Sequence, residues 1–375
     1  MTHKGQTECL PEEAGYNPDT LENFDKHILA CMDEGITQGG IYMLSRKGKI
    51  FAHRSMGKFR DDSAPSTLMP DSIRPIASIT KSITAVAILQ LIEQGYCCLA
   101  TPAAEIIDEF DTDMHRYITI FHLLTHTSGI RADGGAYLEP YVDYDNSEWT
   151  KENWIKKSLS GPLEAKPGER WSYCSAGFCI LAEIVSRLSN MDFDDYVSKY
   201  ILEPLEMTSS FFFCPDHLKN RVSVVDSPWS ERLLTSTKKD IPTTSFLGSG
   251  GLCCSVKDLH QFALMLLNKG SFNGKNILSR KSVETATRSQ LKNVPCYNWS
   301  PHIYDNSFDM DFGLGCQLHK NPFISPSTYS HEGAEGALMY IDPEEDFIFT
   351  AFFPDRKYQP KTWENSLAIV WSGII

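Results

Sequence analysis

Segments that read as strands occur near the two ends of this chain, and the long middle reads as helix. That layout constrains the fold more than any other feature. The two distant ends must pair in one antiparallel sheet, with the helical region inserted between them. Near the start, Leu21, Phe24, Ile28, Leu29 and Met32 fall at helical spacing and predict a helix over 20–34, closed by Gly35, Gly39 and Gly40. Ile41–Ser45 and Ile50–His53 then read as a hairpin about Lys47-Gly48-Lys49. After residue 310, strands are expected at 312–318, 337–341 and 347–353, the last two joined by the turn Asp342–Asp346. A closing helix is expected over 363–371.

Between them the clearest helix is 77–94, with Pro75 before it and Gly95 after. Others are expected near 118–126, 151–158, 176–189, 193–202 and 256–268, with a polar, aromatic loop over 130–150. The expected class is α+β. Residues 1–75 and 271–375 would form the sheet region, 76–270 a mainly helical region, and a site would lie in the cleft between them.

Composition narrows the function. A chain of 375 residues buries a sizeable core without staples. Its 48 carboxylates against 35 Lys and Arg give a net charge of −13, a field that repels phosphate backbones and anionic lipid. No nucleic-acid or membrane partner is expected, and the apolar run Ile83–Ile92 is too short to span a bilayer. The eleven cysteines are odd in number, and no apolar leader precedes them, so reduced thiols in a cytoplasmic protein are expected. No C-x-x-C occurs, His331-Glu332 lacks a second His, and the run Asp108, Glu109, Asp111, Asp113 reads as solvated surface. Neither metal nor cofactor is expected. The Asn298-Trp299-Ser300 sequon has no meaning without secretion, and Phe211-Phe212-Phe213 reads as core or interface.

Three segments carry chemistry. In Ser78-Ile79-Thr80-Lys81, Ser and Lys stand three apart on one face at a helix start. A serine hydroxyl becomes a nucleophile when a neighbour takes its proton. A lysine can do so if burial disfavours its charged form, and the helix N-terminus favours developing negative charge. Lys81 is flanked by Ile79, Ile83 and Ala85, while Thr80 and Ser82 offer hydrogen bonds around the amine. In Trp171-Ser172-Tyr173-Cys174-Ser175, two hydroxyls enter a helix after the turn Lys166–Glu169. Tyrosine, with its ordinary pKa of about 10, is a candidate base beside an ammonium. In Tyr329-Ser330-His331-Glu332-Gly333-Ala334-Glu335-Gly336, glycines allow close backbone approach and an edge N–H can serve as an oxyanion donor. His331 is suited to binding a carboxylate or moving a proton.

In order and spacing these segments resemble the S-x-x-K, Y-x-(N/S) and (K/H)-x-G motifs of the serine beta-lactamase-related superfamily. The branch is the one holding class C beta-lactamases, D,D-peptidases, D-aminopeptidases and family VIII carboxylesterases. Leu123–Ile130, Pro204–Phe211 and Gly250–Leu259 match outside the motifs, and the resemblance runs over about residues 15–355. It implies a beta-lactamase/transpeptidase-like fold, an antiparallel sheet flanked by helices beside an all-helical domain. It also implies an acyl-enzyme mechanism. Ser78 would attack, Lys81 and Tyr173 would move the proton, and the Ser78 and Ala334 N–H groups would form the oxyanion hole. Ser175, His331 and Gly333 would bind substrate.

Two departures bear on substrate. His331-Glu332-Gly333 replaces Lys-Thr-Gly, with Glu332 expected to oppose His331 electrostatically, and Ser175 replaces Asn. Both resemble the esterase and peptidase members. The expected activity is a serine hydrolase on small esters or amides. An acyltransferase, a D-aminopeptidase or weak lactamase, and a silent binding protein remain as alternatives. An acidic residue such as Asp143 or Asp145 is a candidate for holding a substrate amine, and His126 reads as structural.

Overall fold

The computed structural model describes residues 2–60, 66–130, 150–225, 230–295, 311–318, 321–354 and 361–375. The loop 131–149, with Asp143 and Asp145, and the Asn298 sequon lie outside the described residues.

The strands are β1 His3–Lys4, β2 Gly39–Arg46, β3 Lys49–Gly57, β4 Ile73–Pro75, β5 Cys253–Ser255, β6 Ser271–Phe272, β7 Lys275–Asn276, β8 Asp311–Phe312, β9 Gln317–Leu318, β10 Tyr329–Gly333, β11 Ala337–Asp342 and β12 Phe347–Phe352. The α-helices are α1 Pro18–Asp33, α2 Thr80–Glu93, α3 Ile120–Leu124, α4 Trp154–Ser158, α5 Ser175–Ser189, α6 Phe193–Val197, α7 Ser230–Thr235, α8 Val256–Leu267, α9 Arg280–Ala286 and α10 Glu364–Trp371. Eight strands form one antiparallel sheet in the order β1-β3-β2-β12-β11-β10-β9-β8. The two chain ends join where β12 pairs β2, with Phe349 opposite Leu44 and Thr350 opposite Met43.

Strand alternation sorts the central side chains onto two buried faces. Tyr42, Leu44, Tyr340, Phe347 and Phe349 pack under α1 and α10. There Phe24 meets Tyr42 edge-on at 4.9 Å and Phe349 at 5.9 Å. Ile41, Met43, Met339, Ile341 and Ile348 join the cluster that holds α2, α5 and α8. On that face His260 of α8 is fully enclosed between Ser45 and Thr350, and burial pushes its imidazole down to about 3. Both faces being covered explains why β2, β11 and β12 are apolar almost throughout.

Local signals set the helix ends. Asn17 caps α1 by accepting the Asp19 N–H, with Pro18 in the first turn. Ser255 caps α8 by accepting from Asp258. The helix expected over 118–126 is shorter: Thr119 and His122 form a reciprocal capping box, and the helix stops at Leu124. The strand expected over 312–318 is instead the β8–β9 hairpin. Gly315, at φ +77°, turns the chain, and Gly313 N–H donates to Cys316 O. Tyr329–Gly333 forms strand β10, and a turn follows it. The β4–β5 pair, Arg74 opposite Cys254, escapes sequence reading because three residues are too short to show a period.

Among the described residues, every cysteine is a free thiol, and no helix is long and apolar enough to cross a membrane.

Phe24 touches residues from both chain ends. Replacing it with alanine is expected to cost about 3–5 kcal/mol, read as a lower midpoint in urea with an unchanged slope.

Candidate active site

Short β4 delivers the chain into a tight turn ahead of α2. Ile76 N–H donates to Leu252 O. Ala77 sits at φ +43°, a strained conformation for a residue with a side chain. Ser78 lies in the single 3-10 turn Ala77–Ile79 that leads into α2. It is half-buried and faces a cavity, while Lys81 is fully buried.

The Lys81 Nζ stands 3.2 Å from Ser78 Oγ and 2.8 Å from Ser249 O. At 3.2 Å a proton can pass between amine and hydroxyl in either direction. Thr80 and Ser82 do not surround the amine, contrary to expectation. Thr80 Oγ1 accepts the Leu252 N–H, and Ser82 Oγ donates to Gly315 O, so both fasten α2 to its neighbours. Ser249, which sequence spacing did not point to, ends the turn Thr244–Ser249 packed on α5.

Tyr173 comes from the segment before α5. Its ring centroid lies 4.8 Å from Lys81 Nζ. His126 lies against that ring, centroids 4.4 Å apart, and is fully buried at φ +56°. Its Nδ1 accepts the Cys174 N–H at 3.0 Å. Burial holds His126 well below its ordinary value, and its nearness to Lys81 and His331 adds to the effect. The imidazole is therefore neutral, with its proton on Nε2. His126 read as a structural loop residue. The structure packs it against Tyr173, Phe178 and Phe312, beside the Lys81–Tyr173 pair. Ser175 is the buried first residue of α5, two positions beyond Tyr173.

The third segment reaches the site along β10. His331 pairs Met339 on the α2 side of the sheet and is fully buried, its Nδ1 2.9 Å from Glu332 O. Gly333 ends the strand, and a Cβ there would stand 2.2 Å from Ile76 O, so glycine permits the close approach to the turn that carries Ser78. Ala334 lines the same cavity as Ser78.

Glu332 corrects the expectation that it would oppose His331. Alternation sends it to the other face, where Tyr340 Oη–H donates to its carboxylate. Enclosure of that carboxyl pushes it up to about 7; the Tyr340 bond works against this, and Glu364 adds to it.

A cavity of about 270 Å³ opens at Ser78. Phe212, Phe213, Leu233, Ile241, Phe246 and Leu247 form its apolar wall. Phe212 and Phe213 read as core or interface residues, and a run of aromatics alone gives no signal of a pocket. Elsewhere Asp192, Asp194 and Asp195 cluster around Lys238, whose ammonium pairs with all three.

The whole arrangement has relatives. The family model described as Beta-lactamase matches residues 24–365. Protein Rv1367c of Mycobacterium tuberculosis (strain ATCC 25618 / H37Rv) is 25% identical, the match covering 88% of each chain. A putative D-alanyl-D-alanine carboxypeptidase of Escherichia coli O157:H7 is 25% identical over 90% of this chain and 82% of its own. The solved structure titled EstCE1, a hydrolase with promiscuous acyltransferase activity, is similar with a TM-score of 0.75 at 16% identity, covering 95% of this chain and 98% of that one.

The Glu332 shift predicts a pH effect of definite sign. The carboxyl binds its proton more tightly folded than unfolded, so its contribution to stability is lost as pH rises from about 4.5 through about 7. Glu332→Gln is expected to melt at a higher temperature than the parent at pH 8 and to converge with it near pH 4.

Proposed function

The chain belongs to the beta-lactamase family, and from that premise we propose that it is a serine hydrolase cleaving small esters or amides of an apolar acyl group. The carrying observation is the Ser78–Lys81 contact of 3.2 Å at the mouth of an apolar cavity. A nucleophile and its base in contact, opening onto a greasy pocket, suit acyl transfer from an uncharged acyl donor.

In this reading the acyl chain lies against Phe212, Ile241, Phe246 and Leu247, and the carbonyl carbon sits above Ser78 Oγ. Lys81, with Tyr173 beside it, takes the Ser78 proton as the Oγ–C bond forms. The Ser78 and Ala334 N–H groups receive the negative charge that develops on the carbonyl oxygen. Collapse breaks the bond to the leaving group, which departs with the proton as alcohol or amine. Water then repeats the sequence on the acyl-serine and releases the acid. His126, neutral and packed on Tyr173, holds the phenol in place without adding a charge. His331, expected to bind substrate, is fully buried and does not line this cavity, so substrate contact falls to the Ser78 and Ala334 segments and the apolar wall. The related carboxypeptidase supports hydrolysis at an acyl centre. A dominant apolar wall favours ester over peptide.

The test is turnover of p-nitrophenyl esters. Ser78→Ala is expected to reduce it to background and to abolish the acyl adduct seen by intact mass. Two methylenes buried at about 0.8 kcal/mol each raise kcat/KM about tenfold from acetate to butyrate. Equal rates for the two esters, or full activity in Ser78→Ala, would overturn the reading.

A further inference from the structure

Arg74 and Glu335 make a buried ion pair; Arg74 lies outside the three segments, and Glu335 lies in the third, lines the Ser78 cavity and had no role assigned to it. Arg74 is fully buried on β4, four residues before Ser78. Its Nη1 donates to Val225 O at 2.9 Å and reaches Ser223 Oγ at 3.3 Å. Its Nη2 lies 3.7 Å from Glu335 Oε2. Glu335 is itself buried and directly follows Ala334. Its segment is a turn in which Gly336 N–H donates to Gly333 O at 2.9 Å. One end of that turn is fastened to the sheet, because Phe353 N–H donates to Gly336 O. The other end abuts Ile76 O through Gly333.

Both proposed oxyanion donors therefore sit on segments that this pair connects. The Ser78 N–H follows β4, and the Ala334 N–H precedes Glu335. An oxyanion hole works when its donors are fixed before charge develops, and a misplacement near 1 Å costs about a hundredfold. A pair worth having only for stability gains little from burial, since desolvation of two ions consumes most of their attraction.

We propose that Glu335, held by Arg74, is a positioning residue that fixes the Ala334 N–H opposite the Ser78 N–H. The inference rests on the serine-hydrolase reading. It does not place Glu335 in contact with the reacting atoms.

Full-length Glu335→Gln tests it, together with the double variant Arg74→Met/Glu335→Leu. The double variant removes both charges, and so leaves no unpaired ion to unfold the protein. Active molecules are counted by endpoint labelling of Ser78 with a fluorophosphonate, which keeps unfolded protein out of kcat. Per active site, kcat for p-nitrophenyl butyrate is expected to fall about 10- to 100-fold in both variants. KM stays within about twofold. The Ki of butylboronic acid, whose tetrahedral adduct needs the oxyanion hole, rises in step with the loss of kcat. Unchanged kcat and boronate Ki per active site, with only a lower melting temperature or a smaller active fraction, would overturn the proposal. Wild-type protein that neither labels nor turns over would overturn the hydrolase reading and this one with it. A labelled, active wild type with unaffected variants would overturn this one alone.

Discussion

The contact between a buried amine and a half-buried hydroxyl, Lys81 with Ser78, is the interaction on which the rest of the site depends. An amine buried in a low-dielectric interior is expensive to keep charged. The surroundings of α2 enforce that burial, since the helix is enclosed on all sides by core residues. The Ser249 carbonyl helps to orient Nζ, and the Tyr173 ring lies over it. The neutral state of His126 fits the same logic. Burial is the main cause, and the nearness of Lys81 and His331 adds to it.

The sheet explains how distant parts of the chain meet there. Pairing of β2 with β12 brings the two ends together, and β10 follows two strands away. His331 and Gly333 thereby arrive against the Ile76–Ser78 turn, with Ala334 beyond the strand end. The nucleophile side is held by β4 on β5 and by Thr80 and Ser82, which tie α2 to the 252 and 315 segments. The Ser78–Lys81 contact and the Ala334 turn thus sit on different elements, and the Arg74–Glu335 pair connects the two.

Much of this was legible in the residues. The end-and-middle pattern gave the antiparallel sheet with an inserted helical region, and the three motifs named groups that the fold brings together. What escaped had physical reasons. Strands β4 and β5 are too short for periodicity. Glu332 and His331 are neighbours in sequence, and β alternation, once the segment is a strand, sends them to opposite faces. Thr80 and Ser82 are adjacent to Lys81 along the helix and so point away from it. The cavity at Ser78 draws on Phe212, Ile241 and Phe246, which become neighbours only after folding, and the Ser249 carbonyl is a backbone group that no side-chain pattern reveals.

Activation of Ser78 by Lys81 is the step on which the proposed chemistry rests. Its most direct measurement is the rate at which a fluorophosphonate labels the protein, compared between the parent and Lys81→Met, with the modified peptide identified by mass. The account predicts a single adduct on the peptide carrying Ser78 in the parent. It predicts labelling slowed by at least about a hundredfold in a Lys81→Met protein that keeps its melting transition. Equal labelling rates in the two proteins, or an adduct on another serine, would contradict it.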